Sequence, residues 1–255
     1  HEDAMAVREA ELSTMKRLGE HPDSILIVQG NLSGTYLKLG RLESALHMKR
    51  DVYSGHLKLH GEEHLHTIFS ANNYADCLVI VGRFEEARYF LRKIFPVARR
   101  VFGESHHLTL RMQLNYARAL YHNEGATLDD IREAVTTLEE TERIARRVLG
   151  GAHPDTEAVE DNLRIARAVL RARETRAALP VPRFKVGARV ECKVKAKFLT
   201  GTVVRHHYRD SDWEPGVFAP YKVKLDDVSI GLIYAPGDDD RYIRAADDAD
   251  SDAET

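Results

Sequence analysis

Apolar residues recur every three or four positions along most of the first 178 residues, which is the spacing of one face of an α-helix. The segments 31–40, 73–82 and 115–125 each show this pattern, and each is followed by a second amphipathic segment. Residues 155–178 form one longer helical segment that contains no glycine. The pattern therefore predicts pairs of amphipathic helices, closed by a single helix.

The helix pairs repeat with a fixed period. Glycines at 19, 61, 103 and 150 are separated by 42, 42 and 47 residues, and asparagines at 31, 73, 115 and 162 show the same spacings. One five-residue insertion at GATLDDI, between the two helices of the third pair, explains the longer gaps. Because so short a unit cannot bury its own apolar face, we expect the pairs to stack into a solenoid, with residues 1–18 as the second helix of a truncated earlier pair.

Local signals mark where each helix begins and ends. Gly40 and Gly82 are expected to end first helices, since glycine adopts a left-handed cap at no steric cost. The threonine in the turns HLHT, HHLT and HPDT is predicted to cap the next helix. Histidines at positions 64, 106 and 153 share one repeat position, which favours a structural role at the turn.

The segments NLSGTYLKLGRLESA, NYADCLVIVGRFEEA and LGGAHPDT resemble tetratricopeptide repeats of the kinesin-light-chain type over roughly residues 1–170. The 42-residue period is that family's long form of the repeat. The third unit departs from the pattern through its insertion and through Leu108, where the family usually has proline or a small residue. The resemblance implies that the first helices line a concave groove for a partner segment. Cargo transport is not carried over, because the barrel predicted below is foreign to that architecture and the chain shows no heptad coiled coil.

In that family the asparagine before Leu or Tyr hydrogen-bonds the backbone of a bound extended peptide. A planar amide offers a donor and an acceptor together, so it can hold a peptide bond without reading its side chain. By position and by helical face, the candidate groove residues are Asn31, Phe69, Asn73, Asp76, Arg111, Asn115, Arg118, His122 and Asn162.

Two arginines in this set favour an acidic ligand. Arg111 and Arg118 flank Asn115 on one helical face, and guanidinium groups bind carboxylates through two hydrogen bonds. The predicted partner is therefore a protein or peptide with a preference for acidic segments. The competing interpretation is that the asparagines fix the geometry between helices and the arginines form solvated ion pairs.

The pattern changes after Pro180 and Pro182. Short runs rich in Val, Tyr and Ile, spaced by about ten residues, predict five strands in 183–246. Their order resembles SH3-like and Tudor-like barrels, with a helical turn at 238–240 before the last strand. The predicted fold class is α+β multidomain: a solenoid over 1–179, a proline linker over 180–182, a small SH3-like β-barrel over 183–246 and a disordered acidic tail over 247–255.

Two features of the barrel could bind a ligand. Aromatic residues near predicted loops and strand ends could form a cage for a methylated lysine, although core packing is the competing interpretation; they are Tyr208, Trp213, Tyr221 and Tyr234. A basic stretch begins at Arg183 and Lys185, but residues 183–244 carry 12 basic against 9 acidic side chains. That balance favours a solvated face, and nucleic-acid binding is not expected.

Metal, cofactor and catalytic sites are not expected. The run His56, His60, His64 and His66 crosses Gly61, which ends a helix, and no cysteine joins it. The chain shows no nucleophile elbow, glycine-rich phosphate loop or HExxH motif, so the sequence predicts a protein that is not an enzyme.

Charge and cysteine content narrow the setting. The net charge is −3, and the two cysteines lie far apart, which favours the cytoplasm or another reducing compartment. The absence of a run of about 18 apolar residues predicts no membrane span. The amino-terminal histidine suggests that upstream sequence is missing.

The leading hypothesis is therefore a protein–protein interaction scaffold or adaptor. One alternative is a regulatory reader whose barrel binds a modified tail or nucleic acid. Another is a structural subunit of a large assembly.

Overall fold

The computed structural model describes residues 2–214 and 217–246. Within them the chain forms eight helices followed by five strands. The helices are α1 (Glu2–Leu18), α2 (Pro22–Lys38), α3 (Leu42–His60), α4 (Leu65–Ile80), α5 (Phe84–Phe102), α6 (His107–Tyr121), α7 (Leu128–Val148) and α8 (Pro154–Ala177). None of these helices combines the length and apolar content needed to span a bilayer.

The helices form the predicted solenoid of helix pairs. The first pair is α2 and α3, the second is α4 and α5, and the third is α6 and α7, while α1 precedes them and α8 follows. The insertion lies between α6 and α7, as expected. There Thr127 and Asp130 form a capping box, in which each side chain accepts a hydrogen bond from the other residue's backbone N–H.

Left-handed glycines end the first helices as predicted. Gly82 has φ +79°, and the next residue, Arg83, donates its backbone N–H to the carbonyl of Leu78 at 2.8 Å. Gly40 has φ +72°, and Arg41 donates in the same way to Tyr36 at 2.9 Å. Both turns reverse the chain so that the second helix packs back on the first.

The threonine caps were predicted wrongly. The residue that caps each helix is the histidine three positions earlier, because its Nδ1 accepts a backbone N–H two residues on. These bonds measure 3.2 Å at His64, 3.3 Å at His106 and 3.1 Å at His153, and His21 makes a fourth at 3.3 Å. The structural role expected for the repeated histidines is thus confirmed, while the threonines lie buried in the first turn.

The solenoid core is continuous from pair to pair. Three clusters of buried apolar side chains lie between the helices. Tyr53 and Phe90 each pack against both the cluster that contains Leu78 and the cluster that contains Leu91. Tyr116 packs against the Leu91 cluster and against the cluster that contains Leu138. Each pair therefore buries its apolar face against its neighbours, as a repeat solenoid requires.

The second part of the chain is an antiparallel sheet. Its strands are β1 (Arg189–Val194), β2 (Lys197–Tyr208), β3 (Ala219–Leu225), β4 (Leu232–Ala235) and β5 (Ile243–Ala245), in the order β4-β3-β2-β1-β5. A register shift between Val203 and Arg205 bends β2 where it pairs with β3. The core on one face includes Val190, Val203 and Ile243.

The five predicted strands are confirmed as strands, whereas closure into an SH3-like barrel stays a prediction. No pairing joins β4 to β5 among the described residues. The backbone N–H groups of Tyr242 and Ile243 both donate to the carbonyl of Asp239, which forms the turn expected before β5.

The chain divides into two compact units, residues 1–171 and 172–255. This boundary lies inside α8, ahead of the proline linker predicted at 180–182. The acidic tail predicted over 247–255 lies outside the described residues.

Candidate functional site

Side-chain hydrogen bonds join consecutive first helices. Arg118 of α6 donates to Asp76 of α4 at 2.8 Å, and Tyr121 of α6 donates to Asn162 of α8 at 2.5 Å. The predicted groove residues of α4 and α6 therefore lie on neighbouring helices. Residues three and four apart share one helical face. We therefore define the first-helix face by Phe69, Asn73, Asp76 and Ile80 of α4, by Arg111, Asn115 and Arg118 of α6, and by His122, which follows α6 as its C-cap.

Two of the four repeat asparagines hold helices together. Asn115 is buried, its amide N donates to Asn72 Oδ1 at 3.3 Å, and its Oδ1 accepts from Arg118 at 3.0 Å. The amide of Asn162 donates to the carbonyl of Ala158 at 2.7 Å, and its oxygen accepts from the tyrosine of α6. Both amides are thus engaged within the fold.

The other two asparagines are open to a ligand. Asn31 is exposed on α2 and Asn73 is half-buried on α4. Across residues 2–214 and 217–246, no hydrogen bond is formed by either side chain. The repeat position therefore carries two different roles in one chain.

The two arginines predicted to bind a carboxylate also differ. Arg118 is already paired with Asp76, so its guanidinium meets a carboxylate from its own chain. Arg111 is exposed on the same face of α6, and within the described part of the chain it has no ion-pair partner. Of the two arginines predicted to bind an acidic ligand, Arg111 therefore remains available.

Apolar side chains are exposed beside these polar groups. The Phe69 side chain is 51 % exposed, and Ile80, three turns further along α4, is 43 % exposed. Ile27 of α2 lies one period before Phe69 and is also exposed. The sequence interpretation missed Ile27 and Ile80, although their positions in the repeat register could have identified them.

His122 at the end of α6 is held by aromatic contacts. Its ring centroid lies 6.0 Å from that of Phe84 and 4.3 Å from that of Tyr121. Burial lowers the pKa of His122, and the positive charge of Arg118 lowers it further. Both effects favour the neutral form of the His122 ring.

Three of the four predicted aromatic residues of the sheet unit come together. The ring of Trp213 lies 5.8 Å from Tyr208 and 4.8 Å from Tyr234, nearly perpendicular to both. The ammonium of Lys222 lies 4.0 Å from the centroid of Tyr208, so one ring face already meets a cation. The cleft of about 360 Å³ beside Trp213 and Tyr234 is also lined by Glu214.

The fourth residue, Tyr221, is a core side chain and not part of this cluster. It is fully buried, and its hydroxyl accepts the backbone N–H of Phe184 at 3.1 Å. Burial raises the pKa of Tyr221 to about 12. Its inclusion in the aromatic set was wrong, because its alternating position in β3 points it into the sheet core.

The two arginines of the basic stretch form ion pairs within the sheet unit. Arg183 donates to Asp238 and Asp240 at 2.9 Å, and Arg189 forms an ion pair with Asp226. Burial alone would raise the pKa of Asp238, but hydrogen bonds from Arg183 and a buried tyrosine outweigh it and lower the pKa. These contacts support the predicted solvated face.

The described thiols are poor nucleophiles. Cys77 and Cys192 are buried, and burial raises the pKa of each to about 11. Because the thiolate is the reactive form, neither sulfur reacts readily at neutral pH.

The histidine run is brought together by the fold. Two groups of three side chains place their ligand atoms within 4.8 Å of one another: His60, His64 and His66, and Asp23, His56 and His66. Gly61 therefore does not separate these residues, because the turn there brings the ends of the two helices together.

The sequence profile of the tetratricopeptide repeat family matches residues 24–99 and 67–125. Together these matches run from α2 into the loop that follows α6. The helices α2 to α6 therefore match tetratricopeptide repeats. A comparison with curated proteins gives no significant match.

Solved structures show the same fold. Two structures described as kinesin light chain, nearly identical TPR-like repeats, from Podosopora anserina are similar to this chain. One, a single-substitution variant, is 23 % identical with a TM-score of 0.56, and the match covers 68 % of this chain and 80 % of that one. The other is 22 % identical with a TM-score of 0.52, covering 70 % and 89 %.

Proposed function

We propose that this protein is an interaction scaffold whose first-helix face binds an extended segment of a partner protein. Tetratricopeptide repeats imply protein partners. The observation that carries the proposal is the juxtaposition of Phe69 and Asn73, one turn apart on α4, with an exposed aromatic ring beside an amide that has no hydrogen-bond partner among the described residues.

The chemistry of this face suits a peptide in extended conformation. The Asn73 amide can donate to a peptide carbonyl and accept from a peptide N–H. Phe69 and Ile80 offer apolar contact for side chains that alternate along the segment. Arg111 supplies a positive charge, so we propose that an acidic side chain of the partner lies toward α6.

The test is selection of binding peptides from a random displayed library against the full chain, with affinities measured by fluorescence polarisation. We expect Phe69→Ala with Asn73→Ala to weaken the selected peptides by about 10- to 30-fold, as truncation of central contact residues does. The matched control is Tyr89→Ala, which removes an exposed ring from α5, outside the first-helix face.

The result that contradicts this proposal is equal affinity for the wild type and the double variant, or an equal loss in the Tyr89 control. Asn115→Ala is avoided as a test, because Asn115 is buried and bonded to Asn72. Arg111→Glu tests the acidic preference by itself: it should weaken peptides rich in Asp and Glu and spare neutral ones.

A second candidate function rests on the aromatic cluster of the sheet unit. Trp213 and Tyr234 lie perpendicular beside a cleft that Glu214 also lines, an arrangement that suits a methylated ammonium group. Trp213→Ala should abolish binding of a trimethyl-lysine peptide, measured against its unmethylated counterpart. Phe198→Ala is the control, since that ring already meets Arg244 at 4.2 Å. Equal binding of the two peptides by the wild type would reject this candidate.

A further inference from the structure

A cluster of histidines surrounds one carboxylate at the turn between the first two helix pairs. Asp23 lies in the first turn of α2, while His56 and His60 lie one turn apart near the end of α3. His64 caps α4, and His66 lies in its first turn. Three consecutive helices therefore contribute to the cluster.

One oxygen of the carboxylate faces three imidazole nitrogens. Asp23 Oδ1 lies 2.7 Å from His60 Nε2, 3.3 Å from His66 Nδ1 and 3.6 Å from His56 Nε2. The hydrogen bond from His60 lowers the pKa of Asp23, so the group is an ionised carboxylate at neutral pH. A negative charge with several imidazoles around it is the donor set of a cation site.

His56 provides the second, independent observation. Its side chain is only 6 % exposed, and neither ring nitrogen has a hydrogen-bond partner within residues 2–214 and 217–246. Leaving a buried polar group without a partner is costly, so such groups are normally satisfied.

We propose that Asp23, His56, His60 and His66 bind a divalent transition-metal ion, with zinc the best match. Zinc in structural sites takes four ligands in a tetrahedron, and imidazole nitrogen and carboxylate oxygen are among its ordinary donors. In such a shell neighbouring ligand atoms lie about 3.4 Å apart for bonds of about 2.0–2.1 Å. Asp23, His56 and His66 place their ligand atoms within 4.8 Å of one another, and His60 Nε2 lies 2.7 Å from the same carboxylate oxygen.

His64 has a different part in this arrangement. Its Nδ1 already accepts the backbone N–H of His66 at 3.2 Å, which fixes the start of α4. Its ring stacks on His60, with centroids 4.1 Å apart. His64 therefore orients the neighbouring ligand, while the ion itself joins α2, α3 and α4. A closed shell of four protein ligands has a structural role, so zinc should stabilise the first two helix pairs.

The experiment uses the full chain, stripped of metal with a chelator. Calorimetric titration with zinc is expected to show one ion bound per chain, and the thermal midpoint should rise with zinc. Cobalt(II) added in place of zinc should give the strong visible absorption of a tetrahedral site. Asp23→Asn and His56→Ala should each weaken zinc binding by at least about 100-fold.

Two controls separate this site from adventitious binding. His47→Ala removes an exposed histidine that lies 3.1 Å from Asp51, a surface pair with the same two ligand types. His106→Ala removes the equivalent capping histidine of the next turn. Both controls should bind zinc as the wild type does.

Because replacing the buried His56 could weaken the fold, His66→Gln provides a second variant at a side chain that is 40 % exposed. It should keep its helical circular dichroism and lose tight zinc binding. Three results would overturn the proposal: a wild type that binds no zinc or binds it only at millimolar concentration, variants of the cluster that bind as tightly as the wild type, or loss of binding in His47→Ala.

Discussion

Two turns of the solenoid have the same backbone conformation. One lies between the first and second helix pairs, and the other lies between the second and third. Gly61 has φ 83° and ψ 175°, and Gly103 has φ 85° and ψ 169°. The histidine three residues later caps the next helix in both, at 3.2 Å in the first turn and 3.3 Å in the second. In both turns, the path of the chain is therefore set by a glycine with positive φ and by a histidine that caps the next helix.

The side chains around the two turns are chemically opposite. The four proposed metal ligands of the first turn have apolar counterparts one period later, namely Leu65, Ala98, Phe102 and Leu108. Phe102 stacks on His106 with centroids 4.6 Å apart, as His60 stacks on His64 at 4.1 Å. A repeat can thus keep its geometry while a few substitutions exchange an apolar contact for a polar cluster.

The largest expected effect comes from the shared glycines. The combination of positive φ with ψ near 180° is accessible almost only to glycine, so Gly61→Ala and Gly103→Ala should each lower the free energy of unfolding by about 1–3 kcal/mol. Urea unfolding followed by circular dichroism measures this. Gly151→Ala is the control, since its φ is not positive and a methyl group there meets open space. Unequal losses at the two turns would break the comparison.

The shared cap should contribute less. Removing the acceptor with His106→Ala leaves the backbone N–H of Leu108 without its side-chain partner, and the expected loss of unfolding free energy is about 0.5–2 kcal/mol. His106→Asn keeps a side-chain acceptor and should recover most of that loss in the same urea experiment. Equal stability of the two variants would show that the histidine does not act as a cap.

The contrast between the polar first turn and the apolar second turn can be tested by giving the first turn apolar side chains at two of these positions. In zinc-free buffer, Asp23→Leu with His60→Phe should change the free energy of unfolding by less than about 1 kcal/mol, because replacing both partners of a hydrogen bond with apolar groups is nearly neutral. The thermal midpoint of this variant should no longer respond to zinc. A preserved zinc response would show that the ion binds elsewhere.

The smallest expected effect is a pH dependence at the second turn. Burial, followed by the neighbouring His107, lowers the pKa of His106 below its ordinary value of 6.5. The unfolded chain therefore takes up this proton first, so the contribution of His106 to stability is complete above pH 6.5 and is lost as the pH falls toward its folded-state pKa. Unfolding free energies at pH 7.5 and 5.5 should differ less in His106→Asn, and an unchanged difference would contradict the assignment.

The sequence predicted the periodic features because each depends on neighbours along the chain. Glycine at a helix end and a histidine at a fixed repeat position act within a few residues, so spacing alone identifies them. The capping atom was assigned wrongly because threonine is the more frequent cap and the histidine ring reaches the same N–H group.

The candidate sites depended on burial and on contacts between helices. Asn73 and Asn115 occupy the same repeat position, yet one amide is open and the other is locked against Asn72. Arg118 is paired with Asp76, which lies 42 residues earlier in the chain, so the sequence spacing alone did not identify this contact. Tyr221 and Tyr234 have the same side chain, but only one of them faces the core.

The sequence by itself determined the number of helix pairs, their ends and the strands that follow, because helix periodicity, strand alternation and turn preferences are local properties of the chain. Only the tertiary structure decided which repeated side chains remain open to a ligand and which histidines meet Asp23. The physical reason is that solvent exposure and close approach depend on packing between elements that are distant in sequence.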